Sequence, residues 1–238
     1  MILVTSQQMD RLKRIRRAFG EAPKLPSKSA WRSASNDDVW IRTISQVVVV
    51  GGAAPADRLS SAGVRRRLSW QRIQLMSNRV ARKQLWQVLR EIKTRYAGRN
   101  ADQCRKTTAI LRNLAFLKSY PRGPKGFLRD VAALNGPANI RIEFVASRLS
   151  YIKSKGARDF LTTGFGLLRN SIAFDVRVVG ALRHLGVKIP TNALRTPESY
   201  AELERDVIDQ VCRPLRMTGA ELDQLLFTHY KKIKEKQW

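Results

Sequence analysis

The residues of this chain best suited to chemistry are a lysine and an aspartate, Lys155 and Asp175, because each lies in an ordered apolar pattern. Lys155 lies within the segment Leu149–Leu161 (LSYIKSKGARDFL), and Asp175 directly follows the apolar run Ile172–Phe174. A neutral lysine amine is a nucleophile that can hold a carbon electrophile as a Schiff base, and a carboxylate stabilises a cation that develops beside it. Since 45 of the 238 residues are Lys or Arg, a lysine followed by an aspartate is by itself no sign of an active site. The apolar residues around the pair are what make the pattern specific.

This frame resembles the active-site motif of the helix-hairpin-helix DNA glycosylases, roughly L-x-G-I-G-x-K-x-A-x-x-F-L followed by an apolar run that ends in Asp. Within that superfamily it is most similar to the archaeal-type 8-oxoguanine DNA glycosylases. The resemblance implies that Lys155 attacks the sugar carbon C1′ and that Asp175 stabilises the cationic sugar. The matching positions are Leu149, Ile152, Lys155, Ala157, Phe160 and Leu161, with Asp175 behind them.

The chain departs from the motif at its two glycine positions, which Tyr151 and Lys153 occupy. In the family these glycines let backbone N–H groups approach a DNA phosphate. Here we expect Lys153 to offer its ammonium group to the phosphate instead. The alternative interpretation is a degenerate DNA binder that no longer catalyses.

Two further segments are similar to this family. The segment Trp40–Gln46 (WIRTISQ) resembles the helix ending in Ser-Gln that approaches the flipped base, which implies that Gln46 probes a base edge or fills the vacated stack. The segment Ala220–Phe227 (AELDQLLF) resembles the closing helix of the 8-oxoguanine branch. The side chains expected to contact DNA are Gln46, Tyr151, Lys153, Ser154, Arg158, Arg177, Arg65, Arg66 and Arg67.

The charge of the chain predicts a polyanionic partner. Its 45 basic and 19 acidic residues give a formal net charge of +26 and a pI near 11.2, far beyond what solubility requires. A basic surface binds duplex DNA favourably because its cations release the counterions condensed on the phosphates. A membrane surface is less favoured, because the sequence shows neither an insertable amphipathic helix nor a lipidation signal. RNA is a third, weaker candidate partner.

The few cysteines and histidines leave little material for a metal site. Cys104 and Cys212 lie far apart without paired spacing, and His184 and His229 are the only histidines. We therefore expect no metal and no organic cofactor. The apolar start of the chain is too short for a signal peptide, so we expect a cytoplasmic, nucleoid-associated protein.

Apolar residues recur at three- and four-residue steps along most of the chain, which predicts an all-α protein. We expect the first helix over Arg11–Phe19, with Pro23 and Pro26 breaking the chain after it. We also expect Asp175 to begin a helix that Gly186 ends. Other predicted helices run from Asp38 to about Val50, from Ser69 to about Tyr96, over Asp102–Lys118, Phe127–Leu134 and Asn139–Leu149, from Thr196 to about Cys212, and from Thr218 to Lys234. Thr218 and Glu221 have the spacing of a capping box that begins the last of these helices. A short strand over Val47–Val50 is the alternative there.

The resemblance implies a two-lobed helix-hairpin-helix fold with a DNA cleft between its lobes, one formed by residues 1–30 plus 125–238 and the other by 31–124. It predicts a monomeric DNA glycosylase with a following lyase step, acting on double-stranded DNA that contains a modified base. Oxidised guanine is the implied base, and a hypermodified base of foreign viral DNA is an alternative that would serve antiviral defence. A non-catalytic architectural DNA-binding protein is the competing hypothesis from another class.

Overall fold

A computed structural model describes residues 2–20, 25–52 and 54–238. Within these ranges the chain forms helices and no β-strand, which confirms the predicted all-α class. The helices are α1 (Ser6–Phe19), α2 (Ala30–Ser33), α3 (Asn36–Val48), α4 (Ala54–Leu59), α5 (Ala62–Leu68), α6 (Trp70–Ile73), α7 (Asn78–Glu91), α8 (Arg105–Ser119), α9 (Gly123–Ala133), α10 (Ala138–Arg148), α11 (Ser154–Asp159), α12 (Val176–His184), α13 (Pro197–Val207) and α14 (Gly219–Lys234). Two π-helical segments, Phe160–Gly164 and Ile208–Cys212, follow α11 and α13.

The chain divides into two compact units. One comprises the described residues up to Lys28 together with Leu161–Trp238, and the other is Ser29–Phe160. The predicted lobes had joined residues 125–160 to the terminal segments, whereas the structure joins them to the unit of α2–α11. The reason is packing, because α9 lies on α3 and α8, and α10 lies on α9 and α11. Pro23, expected to help break the chain after α1, lies outside the described residues.

In the unit Ser29–Phe160, α3 is the central helix. It begins with a capping box, in which the Ser35 hydroxyl accepts a hydrogen bond from the Asp38 N–H and the Asp38 carboxylate accepts one from the Ser35 N–H. Trp40 is fully buried and donates its indole N–H to the Leu68 carbonyl at 2.9 Å. The helix continues through Val48 and then turns, so the alternative strand over Val47–Val50 does not form.

The predicted helix from Ser69 to about Tyr96 was wrong as one continuous element. A turn after Ile73 separates α6 from α7, and the Ser77 hydroxyl caps α7 by accepting from the Val80 N–H. The apolar spacing continues across the turn, which is why periodicity alone merged the two helices. The segment before Ser69, over which no helix was predicted, forms the short helices α4 and α5.

In the other unit, α12 and α14 pack closely against one another, and α1 packs on α14. Gly180 makes room for this contact, since a Cβ there would lie 2.8 Å from the Tyr230 ring. The capping box predicted at Thr218 is present and begins α14. Gly186 follows the last turn of α12 with φ +90, a left-handed conformation that favours glycine and ends the helix as predicted.

Candidate active site

The Lys155 segment begins with a hairpin between α10 and α11. Its turn closes when the Ile152 N–H donates to the Leu149 carbonyl at 3.3 Å. The side chain of Asn113, on α8, makes two hydrogen bonds to this turn. Its Oδ1 accepts from the Ser150 N–H at 2.6 Å, and its Nδ2 donates to the Ser150 carbonyl at 3.1 Å. This double contact fixes the backbone of the hairpin to α8.

Tyr151 has a backbone conformation that favours glycine. Its φ is +70, in the left-handed region that costs an ordinary residue about 1–2 kcal/mol. Its side chain and that of Lys153 are exposed. The turn therefore forms with Tyr151 and Lys153 at the two positions where the motif has glycine.

Lys155 is the second residue of α11, and its side chain is half-buried. The apolar positions of the motif within the same unit are all buried and hold the hairpin and α11 in place: Leu149, Ile152, Ala157 and Phe160. The apolar residues that singled out Lys155 in the sequence are thus the residues that pack the hairpin and α11 into the unit.

Two side chains of α3 hold α11 one turn beyond Lys155. Arg42 forms an ion pair with the Asp159 carboxylate at 3.1 Å and donates to the Asp159 carbonyl at 3.0 Å. Gln46 donates its Nε2 to the same carboxylate at 2.7 Å. The contacts tie the orientation of α11 to α3.

The structure buries two of the residues expected at a DNA surface. Gln46 is only 3% exposed and packs against α11, where its amide lies near Gly156. Arg158 is also 3% exposed and donates to the Ser154 carbonyl at 3.4 Å. Both side chains are buried in this structure, and their contact with DNA stays a prediction.

Asp175, in the other unit, is the N-cap of α12. Its Oδ1 accepts hydrogen bonds from the Arg177 and Val178 N–H groups, both at 2.9 Å. The N-terminal end of a helix stabilises a negative charge, so this carboxylate is held at the position that suits it electrostatically. Beside it Val176 is 85% exposed, and the guanidinium of Arg177 lies 4.6 Å from the centroid of the Phe227 ring.

The three consecutive arginines of α5 differ in their surroundings. Arg65 lies 3.5 Å from the Asp38 carboxylate, and Arg67 lies 2.5 Å from that of Glu91. Arg66, between them, is exposed. Part of the basic block therefore pairs with acidic groups of its own unit.

Sequence reasoning missed a buried lysine in this unit. Lys106, on α8, is 0% exposed, and its Nζ donates to the carbonyls of Val48 at 3.0 Å and Val50 at 2.6 Å. Burial lowers the pKa of Lys106 to about 8. Its spacing could have revealed it, because Lys106 lies four residues before the core residue Ile110.

In the described ranges, no helix is long and apolar enough to cross a membrane. The same part of the chain holds no group of three or more His, Cys, Asp or Glu side chains arranged to bind a metal ion.

No protein-family model matches the chain, and no curated protein matches it either. Solved structures do. The 8-oxoguanine glycosylase/lyase of Methanocaldococcus jannaschii, in complex with a 15mer DNA containing 8-oxoguanine, is 14% identical with a TM-score of 0.63, covering 94% of this chain and 91% of that one. The 8-oxoguanine DNA glycosylase of Thermotoga maritima is 16% identical with a TM-score of 0.62, covering 92% and 93%. At these identities the likeness shows the architecture, and the chain therefore has the all-α helix-hairpin-helix fold of the archaeal and bacterial 8-oxoguanine DNA glycosylases.

Proposed function

We propose that this protein is a DNA glycosylase that uses Lys155 as its nucleophile and Asp175 as the electrostatic partner of the cationic sugar. The observation that carries the proposal is the hairpin before Lys155, whose turn and buried apolar frame are retained although its glycines are not. The fold likeness, which extends over almost the whole chain, supports it. The formal charge of +26 supports duplex DNA as the partner.

In the proposed reaction, the Lys155 Nζ bonds to C1′ while the bond from C1′ to the base nitrogen breaks. The electron pair of that bond leaves with the base, which takes up a proton, and the amine loses one. The Asp175 carboxylate offsets the positive charge that builds on the sugar as the base departs. Opening of the sugar ring then gives a Schiff base, from which loss of a C2′ proton expels the 3′ phosphate as a lyase step.

The base itself is proposed as oxidised guanine or a hypermodified base of foreign DNA, in which case the protein acts in antiviral defence. Glycosylases extrude their target base, and the proposed enzyme does so as a monomer on a duplex. The added side chains of Tyr151 and Lys153 make the hairpin surface different from a glycine hairpin. This difference is the reason to include bases other than 8-oxoguanine in the test.

The test is borohydride trapping on duplexes that carry 8-oxoguanine, an abasic site or a modified cytosine, with base release measured in parallel. We compare the wild type with Lys155→Ala, Asp175→Asn and, as a matched control in an exposed position, Lys188→Ala. Asparagine is as good an N-cap as aspartate, so Asp175→Asn removes the charge and keeps α12. The proposal predicts that Lys155→Ala abolishes the adduct, that Asp175→Asn slows its formation strongly, and that Lys188→Ala changes neither.

The duplex that gives the most base release identifies the substrate class. If the Lys155→Ala variant still releases the base, water and not Lys155 attacks C1′, and the proposed lyase step is wrong. Neither adduct nor base release on any duplex would overturn the enzyme and favour the architectural DNA-binding hypothesis. Competition between duplex DNA and RNA of the same sequence tests the RNA alternative.

A further inference from the structure

The C-terminal end of helix α3 is bonded by a lysine ammonium that has no contact with solvent. Lys106 is fully buried and bonds to the Val48 and Val50 carbonyls, which belong to the last residue of α3 and to the turn after it. The final carbonyls of a helix have no partner within the helix, so the ammonium supplies one. The Tyr96 ring, whose centroid lies 6.0 Å from the Lys106 Nζ, covers the same group.

Stability alone does not explain this lysine. A buried ammonium is desolvated, and an apolar side chain of similar length in a well-packed core is often neutral or stabilising by comparison. A charged group in such a place points to a role other than core packing. Because its two bonds go to the Val48 and Val50 carbonyls, we expect that role to concern the C-terminal end of α3.

The last turn of α3 carries the contact to the Lys155 helix. Gln46 lies two residues before Val48 and donates to the Asp159 carboxylate, which lies one helical turn after Lys155. Among the described residues, nothing bonds to the Gln46 Oε1, which is buried. The amide is therefore positioned by the helix end on which it sits and by its single bond to Asp159.

We propose that Lys106 is a positioning residue for Lys155, acting through the C-terminal turn of α3, Gln46 and Asp159. The inference rests on the proposed function. Without the ammonium the last turn of α3 frays, Gln46 loses its fixed distance to Asp159, and α11 no longer holds the amine at the geometry of attack. A displacement of about 1 Å at a reacting group can slow a reaction on the order of a hundredfold.

The experiment compares Lys106→Met, Gln46→Ala and the double variant in single-turnover borohydride trapping on an abasic duplex at saturating protein. DNA affinity and urea unfolding are measured on the same samples. The matched control is Lys118→Met, which removes an exposed lysine from the same helix. We expect Lys106→Met to slow trapping about tenfold or more while the Kd for DNA stays within about twofold, and Lys118→Met to change neither.

The double variant separates positioning from general destabilisation. If Lys106 acts through Gln46, the double variant traps no more slowly than the slower single variant, whereas losses of stability combine. A trapping rate unchanged in Lys106→Met, or rate losses that multiply in the double variant, would overturn the proposal. If Lys106→Met is recovered unfolded, Lys106→Leu, which also lacks an N–H donor, takes its place under the same criteria. Unfolding of Lys106→Leu as well would also overturn the proposal, because the lysine would then serve stability.

The wild type distinguishes this inference from the proposed function. If the wild-type protein forms no adduct, the glycosylase proposal itself is wrong. If the wild type forms the adduct and Lys106→Met is trapped at the same rate, only the proposed role of Lys106 is wrong.

Discussion

Replacing Asn113 by alanine should loosen the hairpin that precedes Lys155. The wild-type side chain makes two hydrogen bonds to the backbone of Ser150, at 2.6 and 3.1 Å, from a position that is almost fully buried. Each such bond contributes about 1 kcal/mol net, and the Ser150 groups left behind are only partly accessible to water. Alanine returns about 0.5 kcal/mol through its higher helix propensity on α8. We therefore expect Asn113→Ala to lower the free energy of unfolding by about 1.5 kcal/mol.

Urea unfolding followed by tryptophan fluorescence reports mainly on the relevant unit, because four of the five tryptophans, Trp31, Trp40, Trp70 and Trp86, lie in Ser29–Phe160. The control is Asn139→Ala, an exposed asparagine on α10, which should shift stability by no more than about 0.5 kcal/mol. Under the proposed function, Asn113→Ala should also weaken trapping on an abasic duplex. Equal stabilities of the two variants would refute the reasoning, since the double contact would then contribute nothing.

Three other predictions follow from single side chains. Tyr151→Gly should stabilise the protein by about 0.5 kcal/mol in urea unfolding, because glycine relieves the left-handed strain and loses part of that gain to chain entropy; Tyr151→Ala, which keeps a Cβ, should not stabilise it. Asp175→Ala should cost about 1 kcal/mol by removing the N-cap of α12, and Asp175→Asn should not, with thermal unfolding as the measurement. Burial, together with the charge of Lys232, lowers the pKa of His229, so the unfolded chain binds this proton more readily and stability should fall as the pH drops through about 6.5. His229→Gln should flatten that part of the profile of unfolding free energy between pH 7.5 and 5.5, and His184→Gln should leave it in place; identical profiles for the two variants would contradict the assignment.

Features decided by neighbours in the sequence were predicted correctly. The Asp175 N-cap, the Thr218 capping box and the glycine that ends α12 each depend on bonds or torsions within a few residues. The helical class followed from the repeat of apolar residues along the whole chain. The motif around Lys155 could be recognised because its apolar members must pack within one hairpin, a requirement that local spacing records.

Features decided by contacts between distant segments were predicted less well. The interruption between α6 and α7 is set by the Ser77 cap and leaves the apolar period almost unchanged. The placement of residues 125–160 with α3 and α8 depends on which helix faces meet, and periodicity says only that a face exists.

The sequence by itself therefore determined the helices, their caps and the pattern that singles out Lys155 and Asp175, because these depend on residues a turn or two apart. Only the tertiary structure decided that Gln46 and Arg158 are buried and that the buried ammonium of Lys106 bonds to the carbonyls at the end of α3. The physical reason is that burial and hydrogen-bond partners of polar side chains are set by the elements packed around them. In a chain with 45 basic residues, composition cannot distinguish the lysine at a helix end inside the core from the lysines in solvent.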